Sequence, residues 1–251
     1  MTLPRVVAPE ALDHLSPANP AARRSRRDLR RIHRVMATRG VTARGWQGLV
    51  SAGRAAAPLR VLEIGAGDGT LLLGVARQLA PAWPRVQLSL LDRQAVVSPA
   101  TLAAYASLGW TATVQVADVL DWAAPARGLT SLRPATTAHD DPPWDLITTS
   151  LFLHHFEDAQ LDAVLAAVAA RGLRFFACEP RRSWLALAGS HLVGALGANA
   201  VTRADAVLSV HAGFSAQDIG ARWPGQGTWQ CEEYAAGLFS HCFSARRAGQ
   251  V

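Results

Sequence analysis

The segment Val61-Leu62-Glu63-Ile64-Gly65-Ala66-Gly67-Asp68-Gly69-Thr70 constrains the fold more than any other part of the chain. An apolar run that ends on an acidic residue and three alternating glycines reads as a buried strand turning sharply into a helix. Glycine accepts positive φ and carries no Cβ, so Gly65, Gly67 and Gly69 permit a tight bend against which a flat ligand can lie. The order G-x-G-x-G departs from the dinucleotide fingerprint G-x-G-x-x-G, whose third glycine would fall where this chain has Thr70.

The rest of the chain extends this first unit into an α/β alternation. Leu71, Leu72, Val75, Ala76 and Leu79 mark a helix that Pro81 and Pro84 end. A second strand through Val86, Leu88, Leu90 and Leu91 reaches Asp92 at its carboxyl end, where open parallel sheets bind ligands. A helix over about Pro99 to Leu108 leads to a third strand, Ala112 to Val116, followed by Ala117-Asp118. After a polar, proline-punctuated insertion from Pro125 to Pro143 comes a fourth strand, Trp144 to Ser150. Asp158 is read as the N-cap of a helix closed by Gly172, and Leu173 to Cys178 as the fifth strand, with Glu179 just beyond it facing a pocket or pairing with Arg181 or Arg182. Ser215 to Asp218 has the form of a capping box opening another helix, and two strands near Trp229 to Tyr234 and Leu238 to Ser244 close the pattern. The expected fold class is α/β, a doubly wound, mostly parallel seven-stranded sheet with an N-terminal helical extension over residues 1–50, a main domain over 51–251 and a lid insertion at about 181–212.

The 251 residues fit one such domain, and 50% hydrophobic content supports one large core. All 25 basic residues are arginine, and the net charge of +6 reads first as coding bias and second as function. Cys178, Cys231 and Cys242 are far apart and odd in number, so reduced, buried thiols are expected and a zinc or disulfide framework is not. The first 20 residues, with Pro4, Pro9, Pro17 and Pro20, read as loosely ordered and lack a secretory signal, so a cytoplasmic location is the default. Ala21 to Thr38 reads as a basic helix packing its stripe of Leu29, Ile32, Val35 and Met36 on the domain, before Gly40, Gly45 and Gly48 loosen the pattern. Trp184 to Val201 is interrupted by Gly189, His191, Gly194, Gly197 and Asn199, which makes it a buried or lid helix and no membrane span.

The glycine loop with Glu63 before it, Asp92 after the second strand and Asp118-Val119 after the third resemble, in order, the motifs of the class I S-adenosylmethionine-dependent methyltransferases. The resemblance covers about Leu59 to Cys178. It implies S-adenosyl-L-methionine as cofactor, bound by Glu63 at the methionine amino group, by Gly65, Gly67 and Gly69 along the loop, by Asp92 at the ribose hydroxyls and by Asp118 and Val119 at the adenine edge. A carboxylate such as Glu63 is costly to bury in an apolar strand unless a cation or donors meet it, and a ligand ammonium resolves that conflict. After the fourth strand, Leu151-Phe152-Leu153-His154-His155-Phe156 is similar to the corresponding loop of the small-molecule branch. His154 or His155 is a candidate catalytic base, with a loop-fixing hydrogen bond as the competing role. Adjacent histidines point apart, so at most one is expected to face the cofactor, and no metal site is expected from His154, His155, Glu157 and Asp158.

Asp141-Pro142-Pro143-Trp144 copies a signature of amino-methyltransferases but precedes the fourth strand, where that family's motif follows it. The resulting expectation is methyl transfer to an oxygen or carbon of a small apolar acceptor, aromatic, polyketide-like or quinone-like, recognised by the N-terminal helix and the 181–212 insertion. Two alternatives stand beside it. One is an RNA- or protein-directed methyltransferase using Arg23, Arg24, Arg26 and Arg27 as an electrostatic footprint; the helix lacks the interleaved aromatics that would favour nucleic acid. The other is a non-catalytic binding module of the same fold. Acceptor identity and oligomeric state stay open.

Overall fold

The computed structural model describes residues 3–50, 57–83, 85–124, 142–225 and 227–249. The 125–141 part of the expected insertion, with Asp141, lies outside them. Seven strands form one sheet in the order β3-β2-β1-β4-β5-β7-β6: β1 (Leu59–Ile64), β2 (Val86–Asp92), β3 (Trp110–Val116), β4 (Leu146–Ser150), β5 (Arg174–Pro180), β6 (Trp229–Ala236) and β7 (Ser240–Arg247). The first five pair in parallel, and β7 runs antiparallel to β5 and β6. Strand order reverses between β1 and β4, so the carboxyl ends of β1, β2 and β4 open on the crevice that this topology reserves for ligands.

The helices are α1 (Ala11–His14), α2 (Pro20–Val35), α3 (Thr38–Leu49), α4 (Thr70–Leu79), α5 (Pro99–Ala106), α6 (Val119–Ala123), α7 (Asp158–Arg171), α8 (Trp184–His191) and α9 (Ala200–Ala212). One core cluster joins α3 and α4 to the sheet through Trp46, Val61, Leu72, Leu88 and Phe176, while the other places α7 on the opposite face with Leu62, Ile147, Leu161, Val164 and Phe243. The expected loosening at Gly40, Gly45 and Gly48 is not seen. These residues belong to α3, and a Cβ at Gly45 would lie 2.1 Å from the Phe176 ring. Glycine here serves close helix-to-sheet approach, which brings Trp46 to full burial between Trp83 and Trp110.

Four further expectations are corrected. The N-terminal residues are not loose: Leu3 is buried, Arg5 donates to the carbonyls of Ala212 and Phe156, and the backbone N–H groups of Ala11 and Leu12 donate to Asp205 at 2.8 and 3.0 Å. Asp158 is the first helical residue of α7 and Glu157 its N-cap. Ser215 and Asp218 do bond, through Ser215 N–H to the Asp218 carboxylate at 2.8 Å, but they open a short turn and the 3-10 segment Gly220–Arg222, because Glu233 takes the next free N–H groups, those of Ile219 and Gly220. Cys178 and Cys242 are buried, but Cys231 is exposed on the edge strand β6.

The helix read over Ala21 to Thr38 is α2, and it buries a different face from the expected one. Ala22, Ser25 and Asp28 are its buried residues, held to α9 by Ser25 against Thr202 at 2.7 Å and by Asn199 N–H donating to Asp28 at 2.9 Å. Val35 is exposed, and Leu29, Ile32 and Met36 face a cavity instead of the core. Among the described residues no helix is long and apolar enough to cross a membrane, and the Trp184 to Val201 stretch breaks into α8, a 3-10 turn at Val193–Leu196 and the start of α9.

Candidate active site

A cavity of about 1090 Å³ lies at the carboxyl ends of β1, β2 and β4, slightly above the usual range of about 300–1,000 Å³ for small-molecule sites. Its sheet-side wall holds Glu63, Gly65, Gly67, Asp92, Asp118 and Val119. The opposite wall comes from α2 and its C-cap, α8, the 3-10 turn at Val193–Leu196 and α9, with Leu29, Ile32, Met36, Ala186, Val193 and Val210. The expected cofactor residues thus converge on one space, save Gly69, which sits behind the loop as the N-cap of α4.

The loop geometry follows from the glycines. Gly65, Gly67 and Gly69 have φ of 74, 55 and 71°, left-handed values that strain any side chain. A Cβ at Gly65 would strike the Phe152 ring at 2.2 Å, whereas one at Gly67 would meet nothing within 4 Å. Gly65 therefore makes room for the loop after β4, and Gly67 leaves open the surface of the cavity wall. Asp92 organises this turn: one carboxylate oxygen accepts from Gly67 N–H at 2.8 Å and the other from Gln94 N–H at 2.8 Å. Asp118 is the N-cap of α6, accepting from Leu120 N–H at 2.8 Å while lining the cavity.

Glu63 is only 2% exposed, and its Oε2 has no hydrogen-bond partner among the described residues. Burial, reinforced by Asp92 and Asp68, pushes its carboxyl well above the ordinary 4.5. An orphaned buried carboxylate oxygen on a cavity wall is a site that a ligand cation completes.

The loop after β4 carries the histidines on the 3-10 turn Leu153–His155. Glu179 anchors it. Instead of lying past β5 beside Arg181 and Arg182, Glu179 is inside that strand, fully buried, and accepts from the N–H groups of Phe152 and Leu153 and meets His154 Nδ1 at 2.9 Å. Sequence reading missed this role because the strand was ended at Cys178; a carboxylate in an apolar strand, the signal used for Glu63, was equally present at Glu179.

Nor do the two histidines diverge as expected: both line the cavity, and their ring centroids lie 4.2 Å apart. His154 Nε2 faces Glu10 at 3.3 Å, so both its ring nitrogens meet carboxylates. Burial would lower its pKa, but the hydrogen bonds to Glu10 and Glu179 push it up to about 9. His155 faces Asp13 through Nδ1 at 3.3 Å, and burial together with the adjacent His154 lowers its pKa. Glu10, from the segment read as loose, also accepts a hydrogen bond from Ser209.

Arginines fasten the N-terminal segment over this site. Arg30 pairs with Asp68 at 2.8 Å, Arg26 donates to Gln94 at 2.7 Å and Arg93 reaches Asp13. The misplaced prolines stay away from the cavity: Pro142 and Pro143 accept from Arg60 at the opposite end of β4, where Trp144 stacks under the same guanidinium.

No protein-family model matches the chain, and no curated protein sequence does. Solved structures match its fold. The plantazolicin methyltransferase BpumL, in complex with a monoazolic desmethylPZN analog and SAH, is 13% identical with a TM-score of 0.58, over 91% of this chain and 91% of that one. An O-methyltransferase family protein from Burkholderia thailandensis is 13% identical with a TM-score of 0.52, over 93% of this chain but only 62% of the other. With its sheet order, reversed seventh strand and tip crevice, this chain has the fold of the class I S-adenosylmethionine-dependent methyltransferases.

Proposed function

We propose that the protein transfers a methyl group from S-adenosyl-L-methionine to an oxygen or carbon of a small apolar acceptor. The observation that carries this reading is the buried Glu63 oxygen, unpartnered among the described residues, on the cavity wall it shares with the open Gly67 surface and Asp92. The residues fit the cofactor. Glu63 would take its ammonium, Asp92 its ribose hydroxyls, the Gly65 to Gly67 backbone its flat face, and Asp118 with Val119 the adenine edge. The bound cofactor supplies a sulfonium-activated methyl, so the protein's own contribution is alignment and exclusion of water. The apolar wall of Leu29, Ile32, Met36, Val193 and Val210 supports an apolar acceptor.

His154 has no free ring nitrogen in this arrangement, so of the two candidate bases His155 is better placed to take a proton. Of the four arginines of the RNA-directed alternative, Arg26 is taken by Gln94 and Arg24 reaches the Gly197 carbonyl, which weakens that reading. Calorimetry with S-adenosylmethionine tests the cofactor, and a non-catalytic module separates from an enzyme by mass spectrometry of an extract incubated with protein and a deuteriomethyl donor. Label on one lipid-soluble aromatic is the expected result. Label on tRNA alone, or no heat of cofactor binding, overturns the proposal.

A further inference from the structure

Glu10 comes together at the cavity with His154 and His155 from far along the chain, with one donor atom of each within 4.8 Å of the others. Two imidazoles and one carboxylate are the ligand set of catalytic zinc and of non-haem iron sites, which leave coordination positions open. The 3.3 Å between His154 Nε2 and Glu10 Oε1 is the edge expected between two ligands on one tetrahedral ion with bonds of about 2.0–2.2 Å.

The surroundings match as well. Ligating histidines characteristically give their second nitrogen to a carboxylate, which fixes the ring and its tautomer. Here His154 Nδ1 meets Glu179 at 2.9 Å and His155 Nδ1 meets Asp13 at 3.3 Å, which leaves Nε2 as the ligating nitrogen of each ring; that of His154 faces Glu10, where an ion would replace the direct contact. Ser209 donates to Glu10, orienting the third donor. On the 3-10 turn the two rings lie side by side, tilted by 33° with their centroids 4.2 Å apart.

We infer that Glu10, His154 and His155 form a binding site for a divalent first-row transition-metal ion of the zinc class, whose open positions face the cavity and take water or an oxygen of the acceptor. Mixed nitrogen and oxygen donors favour such an ion over magnesium or calcium, which prefer oxygen alone. The acceptor-anchoring role rests on the methyltransferase reading; the ion site does not, and with an ion bound His155 serves as ligand in place of base.

The test is a titration of the full chain, stripped with chelator and free of cofactor, with cobalt(II). One equivalent is expected to develop the visible absorption of a four- or five-coordinate nitrogen and oxygen site. Glu10→Gln and His155→Gln are expected to weaken binding at least about tenfold, and Asp13→Asn by a smaller factor, with S-adenosylhomocysteine affinity measured alongside as a check on folding. If His155→Gln does not fold, Glu10→Gln carries the comparison. A spectrum that stays that of the aqua ion, or affinities unchanged in both ligand variants, overturns the site and leaves a proton as the bridge between His154 and Glu10. Cobalt bound at this site without any S-adenosylhomocysteine binding upholds the ion site while removing the methyltransferase reading.

Discussion

The two walls of the cavity are built by different means. The sheet-side wall is local: Gly65, Gly67, Glu63 and Asp92 lie within one β-α-β unit, and Asp92 reaches back to Gly67 through a single hydrogen bond. The helical wall is assembled from the chain's far ends. Asp205 holds Ala11 and Leu12, Asp28 holds Asn199, and Ser209 holds Glu10, each pair separated by more than 170 positions. A short-range wall is fixed by backbone conformation. The long-range one is fixed by polar pairs, whose members carry no mark of each other in sequence.

Removing Glu179 gives the largest expected effect, because it anchors the loop that joins the two walls. Glu179→Ala leaves His154 Nδ1 without a partner, Glu10 alone facing the ring, and two N–H groups unpaired, and costs about 3–5 kcal/mol in denaturant unfolding. A loss below 1 kcal/mol would mean the loop stands without it. Next comes Asp92→Ala, expected to weaken S-adenosylhomocysteine binding by about 1–3 kcal/mol in calorimetry, from unpaired ribose hydroxyls and a freed Gly67. Unchanged affinity there would break the assignment of the sheet wall to the cofactor.

The third prediction concerns pH. Glu63 keeps its proton in the folded, ligand-free protein above 4.5, where the unfolded chain has lost it, so its contribution to stability falls as pH rises from there to its raised pKa. A ligand ammonium favours the charged form, so cofactor affinity climbs across the same window and binding releases a proton. Calorimetry in buffers of different ionisation enthalpy reads that release, and Glu63→Gln abolishes both trends. The smallest effect belongs to the helical wall: Arg30→Ala, breaking a partly exposed pair with Asp68, costs about 0.2–1 kcal/mol of stability and less at high salt. A larger, salt-insensitive loss would show that wall to be as firmly set as the other.

The same contrast explains what the sequence disclosed. The glycine turn, the strand tips at Glu63, Asp92 and Asp118 and the order of alternating elements were legible because periodicity and local turn chemistry record them. α3 was obscured by its glycines, and the reason for Gly45, Phe176, lies more than a hundred residues away. Glu10 went unread as a partner of His154 for the same cause, and Glu179, only 25 positions from it, because the expected strand ended at Cys178. The amphipathic stripe of α2 was found, but its destination was not: the hydrophobic pattern shows which residues avoid water and is silent on whether protein or ligand covers them.

That stripe has a further consequence. Since Leu29, Ile32 and Met36 lean on space that the polypeptide does not fill, an apolar guest would serve the protein as interior filling does, desolvating α2 and tightening its grip on the body. Occupancy and rigidity of that helix then rise together, and protection of its amides from hydrogen exchange becomes a measure of how well any acceptor fits.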